Sequence, residues 1–439
     1  MSQVPEIKSW YLNNFDEFES GLNGGASKPI HSIRKDALEN FSRLNFPTTH
    51  EEEWRFTNIT PLLKHNFKPA VEKKEVDMKE IEKFLFNKMK GHRLVFVDGI
   101  FDESLSDLKD LPKGVIACSM AKAIEDDLPQ LKEHFGKYAD YKSHIFTALS
   151  AAFTNDGAFV YVPDGKIIED PVHVLFVASS GDGKKLIQPR NLFVVGKNAQ
   201  ARILEHYCAL SEEIYFTNVV TEIAALENSV VDHVKLQEES KKAFHIARME
   251  VDQEKNSSFS SHSVSFGGDI SRNDFNSRFN DSGGECALNG LYMISGTQLF
   301  DVHSMIDHAK PYCNSHEHFK GILDDKSRAV FNGKVMVRQG AQKTNAFQEN
   351  NNIILSNDAL VNTKPQLEIF ADDVKCSHGA TVGQLDADSM FYLKSRGIGE
   401  DKARIILLHA FASDVVKEIK ISAVHDYIED ILENRFGNN

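Results

Sequence analysis

Two spacings of apolar residues divide this chain. Up to about residue 90 they recur at helical intervals: Ile33, Ala37, Leu38, Phe41 and Leu44 share a helical face that Pro47 ends. The run Thr49-His50-Glu51-Glu52-Glu53-Trp54-Arg55 is polar before Trp54 and aromatic from it onward, and a Lys/Glu-rich stretch from about Val71 to Lys90 is expected to be helical. From about 91 to 145 the pattern is mixed, with one clear strand at Leu94-Val95-Phe96-Val97. From about 146 to 380 alternation replaces helical spacing, as in Phe159-Val160-Tyr161-Val162, Val172 to Val177, Ala201 to Glu205 and Val230 to Val234. Turn formers precede or separate these runs: Lys197-Asn198-Ala199, Glu227-Asn228-Ser229, Lys255-Asn256-Ser257, Asn280-Asp281-Ser282 and Asp324-Asp325-Lys326.

A turn–strand unit repeated every few tens of residues, with no evident helix-length segment between strands, favours an all-β stack over a doubly wound βαβ sheet. A sandwich or barrel is compatible with it, but so long a run of strand signal fits a parallel β-helix better. Such a solenoid has open ends, which need a cap or a partner chain. Helical spacing returns after Asp386. Asp388 is expected to cap a short helix through Met390, Phe391 and Leu393 that closes at Gly397. A longer helix follows, with Ala403, Ile406, Leu407, Ala410, Phe411, Val415 and Ile419 on one face, widened by Ile405 and Leu408. A third, about Val424 to Arg435, carries Tyr427, Ile428, Ile431 and Leu432. These helices form either a self-contained cap or a docking surface. The expected division is a helical region at 1–90, a β core at 91–383 (mixed α/β to about 145, then β-helix) and a helical domain at 384–439.

Composition narrows the function. Fifty Lys+Arg against 64 Asp+Glu give a net charge of −14, which disfavours nucleic acid and anionic membranes. No apolar run approaches the roughly 20 residues that span a bilayer. The first residues resemble neither a secretory nor a transit signal, and the five cysteines, an odd number, include no CxxC pair. A cytoplasmic protein with reduced thiols is the expectation. Gly181-Asp182-Gly183-Lys184-Lys185 lacks the spacing of a phosphate loop, and G-x-G-x-x-G, G-x-S-x-G and H-E-x-x-H are all absent. ATP hydrolysis by this chain is not expected.

Two clusters carry potential chemistry. Asp301, His303, His308, Cys313, His316 and His318 offer imidazole, carboxylate and thiolate; Asp301 can share a face with His303, and His316 with His318. They are either iron or zinc ligands or solvated strand residues. Cys376 and His378 likewise share a face of one strand, a pairing that suits transient iron or sulfur binding or, equally, a buried structural pair. The double acid Asp372-Asp373 breaks the alternation there and leaves the inward face undecided.

Several runs in correct order resemble the SufB/SufD family of iron–sulfur cluster assembly proteins: Tyr312-Cys313-Asn314-Ser315-His316, Lys320-Gly321-Ile322-Leu323, Ala329 to Lys334, Ala341 to Ala346, Lys364 to Ile369, Cys376-Ser377-His378-Gly379-Ala380-Thr381 and Phe391 to Ile398. The run His50 to Thr57 also fits, extending the likeness to the whole chain. Gly379 stands where SufB-type chains tend to carry glutamate, so the chain resembles the SufD branch more. The resemblance implies a right-handed parallel β-helix between helical regions. It further implies a non-catalytic subunit in complex with SufB and the ATPase SufC, supplied indirectly by a cysteine desulfurase. In that setting His378, with Cys376 beside it, assists nascent cluster formation or iron entry at the SufB interface, and no cofactor is held stably by this chain alone. SufC is expected on the C-terminal helices, at Phe391, Tyr392, Arg396, Ile406, Leu407, Ala410 and Phe411. Two other readings remain: a carbohydrate-active β-helix enzyme using groove side chains, and a SufB-like scaffold holding a cluster by itself.

Overall fold

The computed structural model describes residues 3–22, 27–28, 30–70, 73–86, 89–181 and 184–437. From Arg190 onward, successive strands alternate between two sheets, so each strand hydrogen-bonds to the strand one coil away and not to its sequence neighbour. Gln200–Ala209 lies beside Val230–Glu238, which lies beside Ser258–Ser265; the intervening Phe216–Ala225 and Phe244–Gln253 pair with each other in the opposite sheet. All these pairings are parallel. The result is a β-solenoid with helices at both termini, and the mainly-β expectation holds.

The turn residues explain how the coils stay in register. Asn198, Asn228 and Asn256 adopt left-handed backbone at φ 54°, 55° and 53°, which asparagine tolerates. Their side chains form a ladder: Asn228 Nδ2 donates to Asn198 Oδ1 at 3.0 Å, and Asn256 Nδ2 to Asn228 Oδ1 at 3.1 Å, steps of 30 and 28 residues. Between the sheets, aromatic rings stack along the axis, Phe96 on Phe176 and Phe176 on Tyr207, each with centroids 4.9 Å apart.

The N-terminal helix predicted around Ile33–Leu44 spans Ile30–Arg43 and buries Ala37 and Phe41 completely. It packs on a second helix, Ile145–Ala152, and together they cover the outer face of the first sheet at Phe216, Phe244 and Ile246. That second helix falls where alternation was expected to begin. Every one of its residues is buried, so no polar face marks its period. The helix expected over Val71–Lys90 reduces, among the described residues, to Met78–Ile81 and a 3-10 turn at Glu82–Phe84; Val71, Glu72, Asn87 and Lys88 lie outside them. Phe84 and Phe86 are both buried, an extended-chain spacing, and the Lys/Glu content reflects exposure and not helix. Of the Gly181–Lys185 run, Asp182 and Gly183 also lie outside the described residues.

The C-terminal helices are Ala387–Ser395, Glu400–Val416 and Ser422–Gly437. They are not a self-contained cap. The latter two lie on the outer face of the second sheet, where Leu408, Ala412, Val415, Val424, Ile428 and Leu432 bury against Leu204, Leu236, Val264 and Ile322. Lys320 pins them through Asp414 (2.9 Å) and the ring of Phe411 (4.5 Å). The first helix is capped by Asp386, which accepts from Ser389 N at 2.9 Å, and Asp388 sits in its first turn instead. Gly397, at φ 82°, follows its end as expected.

The two ends of the solenoid differ. At the N-terminal end the antiparallel strands Ile100–Phe101 and Ile116–Ser119 finish the two sheets. At the other end the sheets stop at Leu360–Ile369 and Lys375–Gly383, and among the described residues no strand pairs with their outer edges. No described helix is long and apolar enough to cross a membrane.

Candidate functional site at the open end of the solenoid

The closing strand Lys375–Gly383 carries Cys376 and His378. Asp372 and Asp373 lie before the strand begins, so their interruption of the alternation has no bearing on its faces. Cys376 packs toward the interior, against Val335, Val337, Ala341 and Ala346. His378 is two residues on and shares that face. It is exposed nonetheless, since no further coil covers it. Partial burial raises the Cys376 thiol pKa, so the neutral thiol predominates in the isolated chain.

Beneath His378 the interior turns polar. The register stacks Glu317, Gln348 and His378 in one column of the second sheet. Gln348 Nε2 donates to Glu317 Oε2 at 2.5 Å, and both side chains are almost wholly buried, at 1% and 2% exposure. Gln348 Oε1 and Glu317 Oε1 have no partner. The Gln348 amide fits because Gly333 faces it from the first sheet; a Cβ there would collide with Nε2. Burial pushes the Glu317 carboxyl up to about 7, only partly offset by Ser304 and Gln348. Asn350 and Asn352 continue the polar lining, Asn352 Nδ2 donating to Asn350 Oδ1 at 2.7 Å. Sequence reasoning passed over Glu317, whose signal was its place two residues from Ser315 and Phe319 on the inward parity.

The first cluster does not assemble. His308 faces the interior, 2.8 Å from Ser315 Oγ and against the ring of Phe279; burial lowers its pKa to about 4. His316 and His318 lie on the outer face of the second sheet, where His316 stacks on Phe347 at 5.2 Å. Cys313 is buried in a turn, its thiol 3.4 Å from the carbonyl of Asp281. Asp301 and His303 do meet, 3.1 Å apart, but on the outer face of the first sheet under the N-terminal segment. There Thr57 donates to Asp301 at 2.6 Å, Arg272 pairs with Asp301 at 2.9 Å, and Glu53 lies 2.9 Å from His303. The guanidinium of Arg272 also stacks 3.8 Å over Trp54. This is a clamp that fastens the Glu52–Trp54 turn to the sheet. Two strands of opposite sheets and a turn contributed residues that sequence proximity had grouped. Among the described residues, no three His, Cys, Asp or Glu side chains gather into a metal-holding group.

A second polar system, not anticipated, lies deeper in the solenoid. His233 lies 3.2 Å from Glu205, His245 lies 2.7 Å from Glu239, and Lys235 Nζ reaches His245 Nε2 at 2.9 Å, all buried. Burial lowers the lysine to about 8, against the pull of both glutamates. His233 and Lys235 share the buried inward parity of Val231 and Gln237, a placement that the sequence pattern alone does not single out.

The expected docking residues split. Phe391 (74% exposed) and Tyr392 (56%) stand on a helix with no buried residue, with Arg396 5.2 Å over the Tyr392 ring. Ile406 and Ala410 are exposed on the following helix, which packs against that one. Leu407 is half-buried, and Phe411 packs against the sheet and takes part in the Lys320 contact. The long helix therefore turns Leu408 and Ala412 inward, not Ile406 and Ala410, toward the second sheet and the helix Ser422–Gly437.

Comparison with known proteins agrees with this architecture. Residues 5–174 match the model of the SufBD protein N-terminal region, and residues 176–411 that of the SufBD core domain of the SUF system for FeS cluster assembly. An iron–sulfur cluster assembly SufBD family protein of Synechocystis is 35% identical, over 94% of this chain and 93% of its own. The iron–sulfur cluster assembly protein SufD of Escherichia coli is 29% identical over 87% and 88% of the two chains. SufD of Bacillus subtilis is 26% identical over 92% and 94%. With its solenoid, its flanking helices and both family domains in place, this chain belongs to the SufBD family of iron–sulfur cluster assembly proteins.

Proposed function

We propose that the chain is a SufD-like, non-catalytic subunit of a cytoplasmic SufBCD complex, supporting cluster formation and iron acquisition where it meets SufB. The observation that carries this reading is the open coil: two strands whose outer edges pair with no strand among the described residues, one of them presenting Cys376 and His378. An edge of free N–H and C=O groups is a template for another chain's strands. A neutral imidazole can ligate iron while thiolates from SufB supply sulfur, originally from a cysteine desulfurase. The exposed Phe391, Tyr392, Ile406 and Ala410 form the docking surface for SufC, which would carry the ATP hydrolysis. Iron is cargo here, held transiently at Cys376 and His378.

The test is the iron content of the complex co-expressed with SufB and SufC, comparing wild type with His378→Ala. Loss of iron from an intact complex supports the reading; unchanged iron makes His378 structural and leaves the chemistry to SufB. The chain alone should form no stable cluster on anaerobic reconstitution, since Cys208, Cys286 and Cys313 are buried and clusters generally require several thiolates. A persistent iron–sulfur absorption band from the isolated chain would instead make it a scaffold in its own right.

A further inference from the structure

Histidines that ligate a metal through one ring nitrogen are normally held by a hydrogen bond from the other, which fixes the tautomer and the ring orientation. His378 lies on the last coil with no coil above it. Its neighbour in register is Gln348, which offers a buried, unpartnered amide oxygen. That oxygen is not free to exchange places with the amide nitrogen, because Nε2 is engaged by Glu317 Oε2 at 2.5 Å. Glu317 is itself fixed by burial one coil further in. An amide of undetermined orientation would be a poor acceptor; one anchored by a carboxylate presents only its oxygen.

We propose that Glu317 and Gln348 are positioning residues for His378: Glu317 orients the Gln348 amide, and Gln348 Oε1 accepts the ring N–H of His378, leaving the other nitrogen for a divalent metal. This rests on the reading of His378 as the iron-handling residue and adds two residues that touch no iron. Among the described residues the Glu317 carboxyl has no ion-pair partner, although it is buried close to Phe319, so packing alone gives little reason for it there. Gly333 is the permissive element on the facing strand.

Ring-nitrogen NMR of ¹⁵N-histidine-labelled full chain, with His378 assigned from a His378→Gln sample, reads the tautomer directly. Wild type should show one fixed tautomer at His378. Gln348→Met, nearly isosteric but without either amide atom, should show a mixture. Glu317→Gln, which keeps an acceptor for Nε2, should retain the wild-type pattern, and Glu317→Met should lose it. In the co-expressed complex, ferrous ion added anaerobically should bind Gln348→Met about 10–100-fold more weakly than wild type. An unchanged tautomer and unchanged ferrous affinity in folded Gln348→Met would overturn the proposal. If His378→Ala leaves iron uptake intact while Gln348→Met still releases the tautomer, the relay stands and the iron-handling reading falls.

Discussion

His303 illustrates how a residue that looks like a metal ligand serves as a fastener. Burial opposes its protonation, but Asp301 and the Glu53 hydrogen bond outweigh this and raise its pKa from 6.5 to about 9. Its contribution to stability is therefore complete below 6.5 and is lost as pH climbs through 9. Hydrogen-exchange protection factors at residues 50–57, corrected for the intrinsic rise in exchange rate with pH, should fall between pH 8 and 10 in wild type. In His303→Gln they should be low already at pH 7, the loss being on the order of 1–3 kcal/mol. Glu317 has the opposite chemistry with the same slope. Its folded-state pKa of about 7 exceeds the ordinary 4.5, so the folded chain binds the extra proton and stability falls as pH rises from 4.5 to 7. Glu317→Gln should consequently be more stable relative to wild type in urea at pH 8 than at pH 5, by up to a few kcal/mol. No pH dependence of the difference would mean that the carboxyl is better solvated than its burial implies.

At the scale of elements, the long C-terminal helix separates two uses of apolar side chains. Leu408→Ala should cost about 2–5 kcal/mol in denaturant unfolding, because Leu408 fills the interface with the second sheet. Ile406→Asp should stay within about 0.5 kcal/mol of wild type yet weaken copurification of SufC. Equal stability losses would show that the helix is docked differently. The same helix marks what could be read from sequence. Its existence was plain from period, but its inward face was not, since apolar residues encircle it and only the partner sheet decides which are covered. Among strands, the β-branched runs at Val172 and Val230 declared themselves. Ser258–Ser265 and Asn314–Leu323 did not, because their inward positions hold serine and glutamate among the apolar residues while histidines stand on the outer face. Cys376 and His378 could be paired by alternation alone, whereas Glu317 and Gln348 join them only through register, a relation across coils that a linear pattern does not display.

At the scale of the whole molecule, a solenoid is a one-dimensional stack in which each coil is stabilised by its two neighbours. The final coil has one. Hydrogen exchange along the isolated chain should therefore be fastest at 360–383 and slow progressively toward Val230, and SufB should protect that final coil most. Uniform protection would show that the end is covered by some contact within the chain. The asparagine ladder of the turns meets Gly283 after Asn256, and nearer the open end the brace is a different pair, Asn345 Nδ2 donating to Asn314 Oδ1 at 2.8 Å. The open coil thus resembles the growth face of a crystal: it has the lattice of the layers beneath and lacks only the next layer. Whatever binds there inherits the register already written into the stack, so the partner's first strand sets the height of its side chains against His378 to within one step of about 4.8 Å. On the proposed pairing with SufB, alignment of side chains across the junction would then follow from continuation of a lattice, without a separate device to set it.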